Sequence, residues 1–201
     1  MTDDKKASTR REGRHGLIFK DRLLDSAGVG DAVERLADSI AARQGTIPGA
    51  LPGISLVGVH SGGVPLAKRL AAALERRGHD TEDVGMIDIT LYRDDAFLGL
   101  PQPIVGQTDL DFDISGRRLI LIDDVLYTGR TIRAALDALI DFGRPRCIEL
   151  AVLVDRGHRE LPIQPDHVGL RVTTTRNESV RVGLVELGDP EDEVILEERR
   201  P

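Results

Sequence analysis

Leu119-Ile120-Leu121-Ile122-Asp123-Asp124-Val125-Leu126-Tyr127-Thr128-Gly129-Arg130-Thr131 decides the fold class of this chain. Four apolar residues run directly into two adjacent carboxylates. The uniform Leu119–Ile122 run predicts a strand covered by helices on both faces. After Arg130 the apolar spacing turns helical, with Ile132, Ala135, Leu136, Leu139 and Ile140 on one face. Thr128 or Thr131 is the expected cap of that helix. The amides from Tyr127 to Thr131 then lack intrahelical partners and, with the helix dipole, form an anion site. Gly129 allows close backbone approach or a positive φ. Two acids beside an anion site accept hydrogen bonds from sugar hydroxyls, or face a metal or a developing cation.

This segment resembles the phosphoribosyl pyrophosphate (PRPP) signature of type I phosphoribosyltransferases. No Walker loop and no G-x-G-x-x-G occurs in the chain. Two further stretches, Asp88-Ile89-Thr90-Leu91-Tyr92-Arg93-Asp94-Asp95 and Val152-Leu153-Val154-Asp155-Arg156-Gly157-His158-Arg159-Glu160-Leu161-Pro162, are similar to those of the PyrR family. Its members are uracil phosphoribosyltransferases that in some bacteria also bind RNA and attenuate pyrimidine genes. The likeness runs from Asp25 to Val185.

A chain of 201 residues with 40% hydrophobic content fits one domain with a substantial core. Aromatics are 3% and Trp is absent, so Leu, Ile, Val and Ala must fill that core. No apolar run approaches a membrane span, and the N-terminus has charges but no apolar h-region. The single cysteine, Cys147, opens an apolar strand and is expected to be a buried thiol. These features predict a cytoplasmic protein without a membrane partner. The net charge of −7 argues against general nucleic-acid binding but leaves room for a local basic face.

Residues 1–22, with Lys5, Lys6, Arg10, Arg11 and Arg14, are expected to be a disordered basic tail, residues 23–190 the phosphoribosyltransferase domain, and residues 191–201 a frayed C-terminus. Within the domain a helix starts near Asp25, a core strand spans Ile54–Val59, and Pro65 opens a helix that Gly78 ends. Strands follow at Val84–Leu91, at the signature and at Ile148–Val154. Alternating strands are expected at Val168–Val172 and Val180–Leu187. Leu98–Gly116 reads as a long loop suited to a lid. The order predicts an α/β type I phosphoribosyltransferase fold: an open, mainly parallel sheet, helices on both faces, a flexible lid, and ligands beyond the C-terminal strand ends.

The resemblance implies roles residue by residue. Asp123 and Asp124 contact the ribose 2′ and 3′ hydroxyls, and Val125, Tyr127, Thr128, Gly129, Arg130 and Thr131 hold the 5′-phosphate. His60-Ser61-Gly62-Gly63 stands where the pyrophosphate loop belongs, although many members have Thr-Arg-Gly in place of Ser61-Gly62-Gly63. Arg93 is either a lid arginine that reaches the pyrophosphate or a surface partner of Asp94 or Asp95. Asp88 either faces the site or is the polar side of a strand. Arg156, Gly157 and His158 approach the base, with His158 either a proton-transfer group or a structural hydrogen-bonding residue. The implied reaction joins N1 of uracil to C1′ and releases pyrophosphate, giving UMP through an oxocarbenium-like transition state. Mg²⁺ would bind through the substrate and Asp123 and Asp124.

RNA contacts in the family implicate Arg35, Arg159 and Arg176 as candidates for pyrimidine-operon leader RNA. Glu34 and Asp38 oppose this, because two acids on that face repel phosphates. A transferase for another base, such as orotate or hypoxanthine, and a UMP sensor with little turnover are the remaining readings. A homo-oligomer is expected by resemblance.

Overall fold

The computed structural model describes residues 17–43, 48–50, 53–81, 84–89 and 108–199. Arg93, most of the expected lid and the basic residues of the tail lie outside them. Strands β2 (Ser55–Val59), β3 (Val84–Ile87), β4 (Arg118–Leu126), β5 (Cys147–Asp155) and β6 (His167–Arg171) form one parallel sheet in the order β3-β2-β4-β5-β6. Helices α1 (Ser26–Ala41) and α2 (Gly63–Glu75) cover one face, and α3 (Arg130–Ile140) covers the other.

The signature strand shows why both faces are apolar. Ile120 and Ile122 enter the α1–α2 core with Leu36, Leu66 and Leu70, whereas Leu119 and Leu121 join Ile132, Ala135 and Leu139 of α3. The two-residue period of the strand therefore serves two helical layers. Asp25 caps α1, its carboxylate accepting from Gly28 N at 2.9 Å.

A second, antiparallel sheet has the order β1-β8-β7, with β1 Leu17–Leu24, β7 Glu178–Gly183 and β8 Glu193–Arg199. It corrects the expectations for both ends of the chain. Residues 17–22 belong to β1 rather than to a tail, and the expected frayed end is the middle strand of this sheet. The reason is burial: Val194 and Leu196 enter the α1–α2 core beside Val180 and Val182. The acids that made the segment read as solvated are paired, Glu193 with Arg22 and Arg181 at 3.0 and 2.8 Å. The strand expected over Val180–Leu187 stops at Gly183, and Val185–Leu187 is one turn of 3-10 helix. Cys147 is half-buried rather than buried.

Beneath the sheet, at the start of β4, lies a buried ionic group. Arg118 grips Glu149 with two bonds of 2.8 and 2.9 Å and donates to Ile40 O at 3.2 Å. His167 Nε2 donates to Glu149 at 2.7 Å, and Ser39 Oγ lies 2.7 Å from its Nδ1. Burial disfavours the charged Glu149, but Arg118 and His167 outweigh it and hold the carboxyl at about 2. This group ties α1 to the N-terminal ends of β4, β5 and β6.

Two outcomes follow for stability. Leu196→Ala should cost about 2–5 kcal/mol in urea unfolding, as for a core residue, where a frayed end would show none. Glu149→Ala strands the buried Arg118 and should cost about 3–5 kcal/mol. Because the Glu149 pKa is depressed when folded, its contribution is present above about 4.5 and is lost as the pH falls towards about 2. Acid unfolding curves of wild type and Glu149→Gln should converge at the acid end of that window.

Candidate active site

The C-terminal ends of β2, β4 and β5 carry the predicted motifs; the turn after β2 reaches Asp124, and the turn after β5 packs on the Tyr127–Thr128 loop. Asp123 is buried and Asp124 half-buried. Asp124 N donates to Asp123 Oδ1 at 3.0 Å, and Val125 N to Asp124 Oδ1 at 2.7 Å. Burial, then repulsion from Asp124, pushes the Asp123 carboxyl well above the usual range. Asp124 is also raised, by burial. Such a pair gains from any partner that donates hydrogen bonds or carries positive charge.

Ser61-Gly62-Gly63 passes directly beside this pair. A Cβ on Gly62 would lie 2.4 Å from Asp124 Oδ2 and 2.9 Å from its Cβ, and one on Gly63 would lie 2.1 Å from Ile122 O. The glycines let the first turn of α2 rest on the end of β4. A side chain at position 62 would require the Asp124 side chain to shift. Gly62 is the N-cap of α2 and supplies no side-chain cap, so the first amides of the helix keep no cap partner.

The Tyr127–Thr131 loop is pinned from behind. Tyr127 O accepts from Arg159 Nη1 at 2.9 Å, and Thr128 O from Glu160 N at 2.9 Å and Leu161 N at 3.2 Å. In a trans peptide the N–H points opposite to the C=O. Fixing these carbonyls therefore aims the amide N–H groups of Thr128 and Gly129 the other way. Arg130 N makes a long bond, 3.3 Å, to Thr128 Oγ1. The N-cap of α3 is Gly129 at φ 93°, not Thr128 or Thr131, and no side chain caps the helix. Thr131 is half-buried in its first turn, and Val125 is half-buried at the end of β4. The exposed Arg130 pairs with Glu160 at 2.8 Å.

The β5 loop departs most from expectation. Arg156 is buried; it donates to Thr174 Oγ1 at 3.4 Å and, through Nη2, to the carbonyls of Thr175 at 3.4 Å and Glu178 at 2.5 Å. Its Cζ lies 4.0 Å from the centroid of the Tyr127 ring. Two of its three nitrogens thus serve the 174–178 turn rather than a base. Gly157 has φ 76° and donates to Asp155 at 3.1 Å. His158, at φ 60°, donates from Nε2 to Thr174 O at 2.6 Å. Asp88 is buried, and its amide donates to Thr108 Oγ1 at 3.2 Å.

The proposed RNA residues separate. Arg159 is a half-buried clamp: besides Tyr127 O it binds Ile163 O at 3.0 Å and pairs with Asp155 at 2.6 Å. It is therefore not a free phosphate contact. Arg35 is exposed and donates to Gly169 O at 3.1 Å, and Arg176 is exposed. Glu34 is held by Arg76 and Arg77 at 2.5 and 2.7 Å, and Asp38 by Arg77 at 2.7 Å. These acids are neutralised by the two arginines that follow α2, so their repulsion of phosphate is weaker than expected. Sequence reasoning missed the guanidinium–tyrosine stack and the anchoring of the loop carbonyls; the nearness of Arg156 to Tyr127 depends on β4–β5 pairing, which no local pattern reveals.

The family model for the phosphoribosyl transferase domain matches residues 20–186. Bifunctional protein PyrR of Roseiflexus sp. strain RS-1 is 51% identical over 175 residues, covering 87% of this chain and 93% of the relative. Bifunctional protein PyrR of Deinococcus radiodurans is 51% identical over 181 residues, with 86% and 97% coverage. Among solved structures, the hypoxanthine phosphoribosyltransferase of Trypanosoma cruzi aligns with a TM-score of 0.68 at 17% identity, over 90% of this chain and 98% of that one, a likeness of fold. The parallel sheet, the paired acids between two backbone loops and this half-identity over nearly full length have one meaning: the chain belongs to the phosphoribosyltransferase family, in its PyrR branch.

Proposed function

We propose that the protein is a uracil phosphoribosyltransferase, converting uracil and PRPP to UMP and pyrophosphate. The observation that carries this reading is the placement of Asp123 and Asp124 beside the Ser61–Gly63 turn and ahead of the Tyr127–Thr131 amides. A ribose over the two acids would have its 5′-phosphate at the second loop and its pyrophosphate at the first. Arg93 joins the proposal as the lid residue, outside the described residues. The relatives' name and the Val152–Pro162 stretch favour uracil over orotate or hypoxanthine.

In the reaction the N1 lone pair of uracil bonds to C1′ as the C1′–O bond to pyrophosphate breaks, and the N1 proton leaves. Asp123 and Asp124 fix the ribose hydroxyls and stabilise positive charge on the ring. The pair is also a fitting oxygen donor set for a hard cation. These two carboxylates would hold Mg²⁺ together with substrate oxygens, where the ion neutralises the leaving group. The backbone of Gly157 and the His158 ring remain the candidates for reading the base. A cytoplasmic location and a homo-oligomeric state belong to the same proposal. Among the described residues no helix is long and apolar enough to cross a membrane.

A second reading, a UMP-responsive RNA-binding attenuator, gains from the pairing of Glu34 and Asp38 with the two arginines that follow α2. Arg35 and Arg176 remain its candidate contacts. A salt-sensitive complex with the pyrimidine-operon leader transcript, tightened by UMP, is its test.

Incubation with uracil, PRPP and Mg²⁺, beside orotate and hypoxanthine, should give UMP alone. Absence of turnover in folded protein that still binds UMP would move the assignment to the sensor or RNA reading. Asp123→Asn with Asp124→Asn should lower kcat at least about 100-fold. The same change should raise the melting temperature at neutral pH. The folded-state pKa of each acid is raised, so the folded protein carries a penalty that grows as the pH rises through that pKa, and asparagine removes it. Thr128→Val should raise KM for PRPP more than for uracil; equal increases would remove the hydroxyl from the phosphate loop.

A further inference from the structure

The expected base contact at Arg156 is the feature the proposed chemistry leaves least explained. Its guanidinium is turned from the β5 loop towards the 174–178 turn, and its Cζ lies over the Tyr127 ring. Among the described residues it makes no ion pair. The carboxylate of Glu178, whose carbonyl Arg156 binds, is held instead by Lys20 and by Thr175 N at 2.5 Å. With no carboxylate drawing it aside, the guanidinium can stay over the ring.

Tyr127 needs such a support. It is the first residue of the loop whose amides face the phosphate position, and its ring is half-buried. Arg159 and the 160–161 amides hold the carbonyls of Tyr127 and Thr128. The backbone amide of Arg156 also binds Leu126 O at 3.1 Å. The ring is enclosed by Arg156 at 4.0 Å and, edge-on, by His158 at 6.0 Å and 70°. A tyrosine free to rotate would loosen the start of a loop whose value lies in preset amides.

We propose that Arg156 is a positioning residue for the 5′-phosphate end of the ligand, acting through its stack on Tyr127, rather than a reader of the nucleobase. The inference rests on the phosphoribosyl reading of the site. It links the turn before β7 to the phosphate loop: Glu178 and Thr175 hold Arg156, and Arg156 holds Tyr127.

The test uses the full chain, calorimetry, and two probes for the two ends of the site, ribose 5-phosphate and uridine. Arg156→Met and Tyr127→Leu should each weaken ribose 5-phosphate binding about tenfold, and the double variant should fall little further, because both remove one contact. Uridine binding should be unchanged. Arg156→Lys keeps the charge without the planar face and should show the same loss. A spectroscopic readout is independent of ligand. The chain has two tyrosines and no Trp, so in a Tyr92→Phe background the near-ultraviolet dichroism reports Tyr127 alone. That band should collapse in Arg156→Lys while the far-ultraviolet spectrum stays native. Should Arg156→Met fail to fold, Tyr127→Leu breaks the same contact from the other side. Additive losses, full rescue by lysine, or an equal loss of uridine binding would overturn the inference. Wild type that binds ribose 5-phosphate while the variants bind it equally well overturns this inference alone. Wild type that binds neither probe overturns the phosphoribosyl site itself.

Discussion

The close approach of the first turn of α2 to the ends of β2 and β4 is the constraint on which the site depends. Gly58 and Gly63 leave no room for a Cβ: the nearest backbone atoms would stand 2.6 and 2.1 Å away. Without those glycines the helix would have to stand off the sheet, and the Ser61–Gly63 turn would move away from the acids. The same contact presses Asp124 into a confined place and contributes to raising both carboxyls. Close packing and the strained ionisation of the acids are therefore one arrangement seen twice. The fold accepts a cost at the site that the buried Arg118–Glu149–His167 group and the two apolar layers offset elsewhere.

The parallel sheet was legible because its strands are covered on both sides. Leu119–Ile122 has no polar residue to offer solvent, and both this strand and β2 give way to a helical period at a glycine or proline. The acids were legible for a related reason, since paired carboxylates at the end of such a strand have no structural use. The α3 cap was misread because threonine and glycine both fit the start of a helix, and only the backbone angle decides. Gly129 at φ 93° takes the position, leaving Thr128 with its hydroxyl near Arg130 N.

The C-terminal strand shows a different limit. Glu193-Val194-Ile195-Leu196-Glu197-Glu198-Arg199 has a short apolar centre and acids on each side, a composition shared by solvated tails. What makes it the middle of a sheet is supplied by distant parts of the chain. Leu17–Leu24 pairs on one edge, Glu178–Gly183 on the other, and Arg22 and Arg181 take up the acid of Glu193. No local pattern encodes such a partner. The long-range charge pairs of α1 with the arginines that follow α2 escaped for the same reason: Glu34 and Asp38 read as repulsive until Arg76 and Arg77 stood beside them.

The small sheet also explains why a loop site can be rigid. Loops carry the chemistry in this fold, and loops are ordinarily the mobile part of a protein. Here Lys20 of β1 holds Glu178 at the start of β7, Glu178 O and Thr175 O receive Arg156, and Arg159 takes Asp155 and Tyr127 O. The turns beyond β4 and β5 are thus fastened to each other by Arg159 and to the second sheet by the buried Arg156 rather than left to solvent. A strand formed by the last residues of the chain thereby supports the loop that follows the signature acids. Leu17–Leu24 and Glu193–Arg199, drawn from the segments that read as least informative, belong to the framework that holds the phosphate amides in place.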